Sequence, residues 1–288
     1  MSSTNKNVFY WKGENDIKEV EIPLGFTRIG CYGFSSSSIT NVTISNSVIE
    51  IGDNAFSGCS SLTSVTIPDS VTTICSYAFS NCSSLNNIVI PNSVRIISSC
   101  TFEGCTSLTN IIIPNSVVKI EFYAFKKCSS LTNITIPNSV EIIEFCAFRK
   151  CSSLTDITIP NSVIKFGSDA FSGCSSLTSV TIPNIVEIIG RHVLFGEKVL
   201  NGVEIPESTK ILNNNTFIEH EISTIIIPNS IIKIDSSAFF DCSSLTNIVI
   251  PDSVIEIDSY AFEGCSSLTS VTIPNIVEII GRHVLFGE

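Results

Sequence analysis

The sequence predicts a repeat solenoid: a right-handed stack of about twelve 23-residue coils, with a parallel β-sheet on its concave face and short strands and 3-10 or helical turns on its convex side. Three observations predict it. Proline recurs at Pro23, Pro68, Pro91, Pro114, Pro137, Pro160, Pro183, Pro206, Pro228, Pro251 and Pro274, with Ser45 in the one vacant slot; the step is 23 residues, or 22 from Pro23 to Ser45 and from Pro206 to Pro228. The string GCSSLTSVTIPN occurs at 173–184 and again at 264–275, and altered copies fill most of the space between Asp53 and Thr272. Apolar residues keep constant offsets within each copy, and a period of this length marks coils that bury their apolar side only by stacking.

Residues 1–16 are expected to form an N-terminal cap segment, in which NVFYW supplies a strand and the only tryptophan, Trp11, covers the core. The solenoid is expected over 17–288. In the coil around Pro68 the recurrent apolar positions are Leu62, Val65, Ile67, Val71, Ile74, Ala78, Phe79 and Cys82. Val65 and Ile67 alternate with Ser64 and Thr66, a period of two that gives a strand with one face inward. The proline that follows lacks an N–H and ends the pairing. SVTTI adds a short second strand, and SYAFSNC reads as a tight helical or 3-10 return in which small Ala78 lets Phe79 fill the interior. Twelve coils at the strand spacing of ~4.8 Å make a rod near 55 Å long. About 185–222 the coils degenerate: Leu200, Val203, Ile205, Leu212 and Phe217 keep the apolar pattern, but the cysteine slot is lost to Glu197 and near His220. Residues 173–197 recur unchanged as 264–288, and the last coil is expected to lack a polar cap.

Eight of the twelve cysteines (Cys59, Cys82, Cys105, Cys128, Cys151, Cys174, Cys242 and Cys265) occupy one slot of the repeat. Stacked neighbours would lie about one strand spacing apart, ~4.8 Å, beyond the ~3.5–4.5 Å between Cβ atoms that a disulfide needs. The expectation is a ladder of buried, reduced thiols that cap turn carbonyls. No metal is expected, because Cys100/Cys105 and Cys146/Cys151 are spaced unlike zinc pairs and His192, His220 and His283 lie apart from them.

The recurring CSSLTxIxIPxSVxxIxxxAFxxC resembles the BspA-like leucine-rich repeat, over roughly residues 17–286. The resemblance implies a leucine-rich-repeat horseshoe. It also implies a non-enzymatic interaction scaffold, at the cell surface or secreted, used in adhesion or in host or ligand binding. Against that location, no signal peptide is expected in the first twenty residues, since their apolar run is only Val8 to Trp11. The alternative is an intracellular structural or regulatory repeat protein, whose protein partner docks on the degenerate coils or the edge loops.

Composition narrows the function classes. A net charge of −11 without a Lys/Arg cluster argues against nucleic acid and anionic lipid. No apolar run exceeds four residues, far short of the roughly 20 of a membrane span, so no membrane insertion is expected. No nucleophile elbow, zinc-protease or phosphate-loop motif occurs; neither enzymatic activity nor a cofactor is expected. The acidic residues Glu50, Glu141, Glu187, Glu256, Asp235 and Asp258 belong on the solvated back or edge.

The candidate binding surface is the outward face of the main strands: Ser64, Thr66, Asn87, Asn110, Asn133, Thr135, Asp156, Thr158, Ser179, Thr181 and Asn247. Val89, Ile112, Glu204, Ile226 and Val249 interrupt this array. Such a rack of hydroxyls, amides and methyls suits a protein or glycan ligand held by repeated weak contacts. It equally suits a solvated face rich in Thr because Thr favours strands.

Overall fold

The computed structural model describes residues 7–11, 13, 17–167, 169–177, 179–181, 188–189, 200–204, 211–212 and 222–284. Most of the degenerate stretch, with Arg191, His192, His220 and Glu187, lies outside the described residues, as does most of 1–16.

Every strand pairing among the described residues is parallel, and the coils stack in a solenoid of about 23 residues per turn. The main ladder runs from Glu19–Glu21 to Val271–Thr272 as a four-stranded and an eight-stranded sheet, which meet at the bridge Val89↔Ile112. Its twelve strands match the twelve proline slots. Asn110 pairs with Asn133 and Ile112 with Thr135, so each residue lies against its counterpart one repeat on. A second ladder of two-residue strands, such as Thr73–Ile74 and Lys119–Ile120, follows each serine-valine pair. Val8–Phe9 pairs with Arg28–Ile29, and Trp11 stacks on Phe34 with ring centres 5.8 Å apart.

The interior is a column of identical side chains. Phe34, Phe56, Phe79, Phe102, Phe125, Phe148 and Phe171 lie face to face at 4.8–5.8 Å between ring centres. All are at most 1% exposed, and offset stacking of this kind adds to the burial of each ring. Beside them runs the expected thiol ladder. The Sγ of Cys82, Cys105, Cys128, Cys151 and Cys174 each donates to the carbonyl of the phenylalanine 26 residues earlier, at 3.1–3.2 Å. The spacing therefore couples each phenylalanine turn to the next coil, and the cysteines are free.

The return differs from a helix. In the turn from Tyr77 to Cys82 the N–H groups alternate: Ala78, Ser80 and Cys82 donate three residues back to Cys75, Tyr77 and Phe79, while Tyr77, Phe79 and Asn81 donate to Ser99, Thr101 and Glu103 of the next coil. The 3-10-type bonds are thus present but never consecutive. Two left-handed residues per turn, Tyr77 (φ 59°) and Asn81 (φ 58°), interrupt helical propagation and aim every second N–H along the stack. The turn becomes a third inter-coil ladder. Gly104 takes the second left-handed slot in the next coil, where a Cβ would overlap the Asn81 amide oxygen.

Serine adds a further tie. The hydroxyls of Ser70, Ser116 and Ser162 donate to the carbonyls of Val48, Val94 and Val140 in the preceding coil at 2.7–2.8 Å.

Burial pushes the Cys105 thiol from its ordinary value near 9.0 up to about 12. Because the folded value is the higher, the stabilisation from this thiol is complete below pH 9 and drains away as the pH rises toward 12, with a slope of about 1.4 kcal/mol per pH unit. Urea unfolding between pH 8 and 11 should therefore fall steeply for the native chain, and less steeply for Cys105→Ala by up to that amount. Equal slopes would show that this thiol ionises freely in the fold.

Candidate functional site

The main ladder has a strict in-out alternation, because successive side chains of a strand point to opposite faces. Val65, Ile111, Ile134 and Ile157 turn inward, each at most 6% exposed. Their neighbours Ser64, Thr66, Asn87, Asn110, Asn133, Thr135, Asp156, Thr158 and Asn247 are all exposed on the opposite face. Ser179 and Thr181 share the same register, opposite Asp156 and Thr158, with side chains outside the described residues. The described side chains among these positions therefore lie on one face of the main ladder.

Part of it is concave at the scale of a ligand. Asn110, Asn133 and Thr135 border an open depression of about 560 Å³, and Ile112, Asn115, Pro137 and Asn138 complete its rim. Asn115 and Asn138 are exposed and come from the loop after the proline, not from the strand. Sequence reasoning confined to strand positions misses them, although an asparagine directly after the proline recurs at Asn92, Asn115, Asn138, Asn161, Asn184, Asn229 and Asn275. The lining is neutral: amides with donors and acceptors, one hydroxyl, and the aliphatic surface of Ile112, which is 69% exposed. Val89, 63% exposed, lies beside Ile112, and Ile226 and Val249 form a second exposed apolar pair. The interruptions of the polar array are thus paired across adjacent coils.

The neighbouring threonine file is structural. Thr40, Thr63 and Thr132 donate their hydroxyls to the carbonyls of Lys18, Thr40 and Thr109 at 3.0–3.4 Å. In the outer file, Ser64 bonds the Asn41 amide oxygen at 3.2 Å, a link that runs along the stack.

Charge collects on the second ladder. Glu50, Glu256, Asp235 and Asp258 are partly exposed and Glu141 is exposed, as expected. Glu144 departs from the pattern: it is 6% exposed and held between Lys119 at 3.3 Å and Lys165 at 3.2 Å. Among the described residues no group of three or more His, Cys, Asp or Glu could hold a metal ion, and no helix is long and apolar enough to cross a membrane.

Serine staples and surface hydroxyls should separate in a stability test. Ser116→Ala removes a hydroxyl partnered to a part-buried carbonyl and should cost about 1 kcal/mol in urea unfolding. Thr135→Ala on the exposed face should stay within about 0.5 kcal/mol of the native chain. The reverse order would mean that the outer face, and not the staples, holds the coils together.

Comparisons place this geometry among known proteins. The BspA type leucine rich repeat region matches in six copies over residues 2–131, 72–201 and 167–287. No curated protein matches the chain. Among solved structures, a leucine-rich repeat protein from Bacteroides ovatus is 24% identical over 92% of this chain and 83% of its own, with a TM-score of 0.56, and so shares the fold. A leucine-rich repeat protein from Eubacterium ventriosum is 22% identical over 88% of this chain and 84% of its own, at a TM-score of 0.45. A leucine rich cell surface protein from Faecalibacterium prausnitzii is 24% identical over 88% and 86%, at 0.36. With the repeat pattern matched along almost its whole length, this chain belongs to the BspA-type leucine-rich repeat family.

Proposed function

We propose that the chain is a non-enzymatic binding scaffold, exposed at a cell surface, that takes a protein or glycan ligand on the outer face of its main ladder. The observation that carries this reading is the neutral depression bordered by Asn110, Asn133 and Thr135, set in a face that repeats the same chemistry coil after coil. Amides and hydroxyls at strand spacing offer hydrogen bonds to sugar hydroxyls or to an extended peptide, and Val89 with Ile112 offers apolar contact. The face lacks the Trp, Tyr and Arg that dominate tight protein interfaces, so affinity has to come from many weak contacts acting together. The expectation for Asn87, Asn247 and the rest of the array is the same weak contribution from each.

A second reading, an intracellular structural or regulatory repeat protein, draws on the twelve free cysteines, since reduced thiols suit a reducing compartment. Fractionation of the native cells separates the two.

A glycan array and binding to intact cells should first identify a ligand for the full chain. Asn110→Ala, Asn133→Ala and Thr135→Ala, made singly and together, should then lower affinity in steps of a few-fold each, with unchanged circular dichroism. Binding unaffected by the triple substitution would remove the outer face from the interaction.

A further inference from the structure

Two dipeptides, Lys126 with Lys127 and Arg149 with Lys150, occupy the same turn slots in adjacent coils. Read along the chain they are separate and short. In the fold they meet: the Lys127 N–H donates to the Arg149 carbonyl at 2.8 Å, and the rings of Phe125 and Phe148 directly before them are 5.2 Å apart. On a molecule of net charge −11 the stack gathers four cations at one corner.

That arrangement is unfavourable in the free protein in two ways. Lys127 (φ 62°) and Lys150 (φ 63°) hold the left-handed slot that is Gly58, Gly104, Gly173 or Gly264 in other coils, and a side chain there carries a steric cost. Like charges one coil apart also repel. Compensation is incomplete: Lys126 reaches Glu103 at 2.9 Å, whereas no ion pair among the described residues involves Lys127, Arg149 or Lys150. The Nε of Arg149 is buried without a partner. Room has been left for one of these chains, since a Cβ on Gly173 would come within 3.0 Å of Lys150 Cγ. The same turns carry aromatic surface: Phe122 is 44% exposed, Tyr123 meets Phe145 edge to face at 5.4 Å, and Lys126 sits 4.6 Å above the Tyr123 ring.

We infer that this corner binds an anionic polysaccharide, with Lys127, Arg149 and Lys150 taking carboxylate or sulfate groups and Phe122 lying against the C–H face of a sugar ring. Charge complementarity selects the anion. The small area of the patch, and the net negative charge of the remainder, favour a flexible anionic chain that can meet this corner alone over a rigid duplex. The site lies on the turn ladder and is separate from the outer strand face.

Dextran sulfate is the probe, measured by calorimetry with the full chain at two salt concentrations, beside uncharged dextran and random-sequence double-stranded DNA. The native chain should bind dextran sulfate, more weakly at the higher salt, and neither control comparably. Lys127→Gly combined with Lys150→Gly should reduce that affinity at least tenfold while raising the ligand-free Tm by roughly 2–4 °C, because glycine relieves both the strain and the repulsion. Phe122→Ala should weaken binding several-fold. Undiminished binding by the double variant, or DNA bound as tightly as dextran sulfate, would overturn the inference.

Discussion

One spacing governs this molecule: the distance between neighbouring strands of a parallel sheet, ~4.8 Å, repeated along a single axis. A coil cannot bury its own apolar face, so each residue is stacked on its counterpart from the coil before, and only side chains that tolerate a copy of themselves at that distance can fill a slot indefinitely. Phenylalanine does so by face-to-face stacking, as from Phe34 through Phe171. Cysteine does so because its thiol reaches past its own neighbour to a phenylalanine carbonyl. None of the cysteines is in a disulfide, and burial pushes the Cys105 thiol up, which keeps it protonated.

Charge obeys the same constraint with the opposite result. On the second ladder, cations and carboxylates face one another across coils: Arg28 with Glu50 at 2.9 Å, Lys119 and Lys165 on either side of Glu144, and Lys233 with Glu256 at 3.0 Å. Alternation of sign turns a repulsive repeat into an attractive one, and it explains how Glu144 can be buried in a face otherwise given to partly exposed acids. The corner at Lys127 and Lys150 departs from that logic, with like charges and left-handed lysines stacked in adjacent coils.

The two faces of the solenoid suit different ligand chemistry. The strand face is repetitive and mostly neutral, with a depression where a loop asparagine file meets a strand asparagine file. The turn face is irregular: Tyr77, Cys100 and Asp169 take the first left-handed slot in different coils, and Asn81, Gly104 and Lys127 the second, all with positive φ.

Much of this was legible in the residues. Proline spacing set the coil length and the strand ends, the alternation around Val65 set the inward face, and the recurring cysteine announced a ladder of thiols capping turn carbonyls. Each follows from periodicity alone, since a residue and its copy one period later must be neighbours in a stack. The tertiary structure decided what periodicity does not contain. Whether the return is a helix depends on the sign of φ at Tyr77, Cys100 or Lys127, and none of these residue types signals a left-handed conformation. The contacts of a serine hydroxyl with a valine carbonyl 22 residues earlier, of Glu144 with two lysines, and of Lys127 with Arg149 depend on the direction in which side chains and carbonyls leave the coil. A repeat determines which coil lies next to which; only the backbone torsions determine which atoms then face each other.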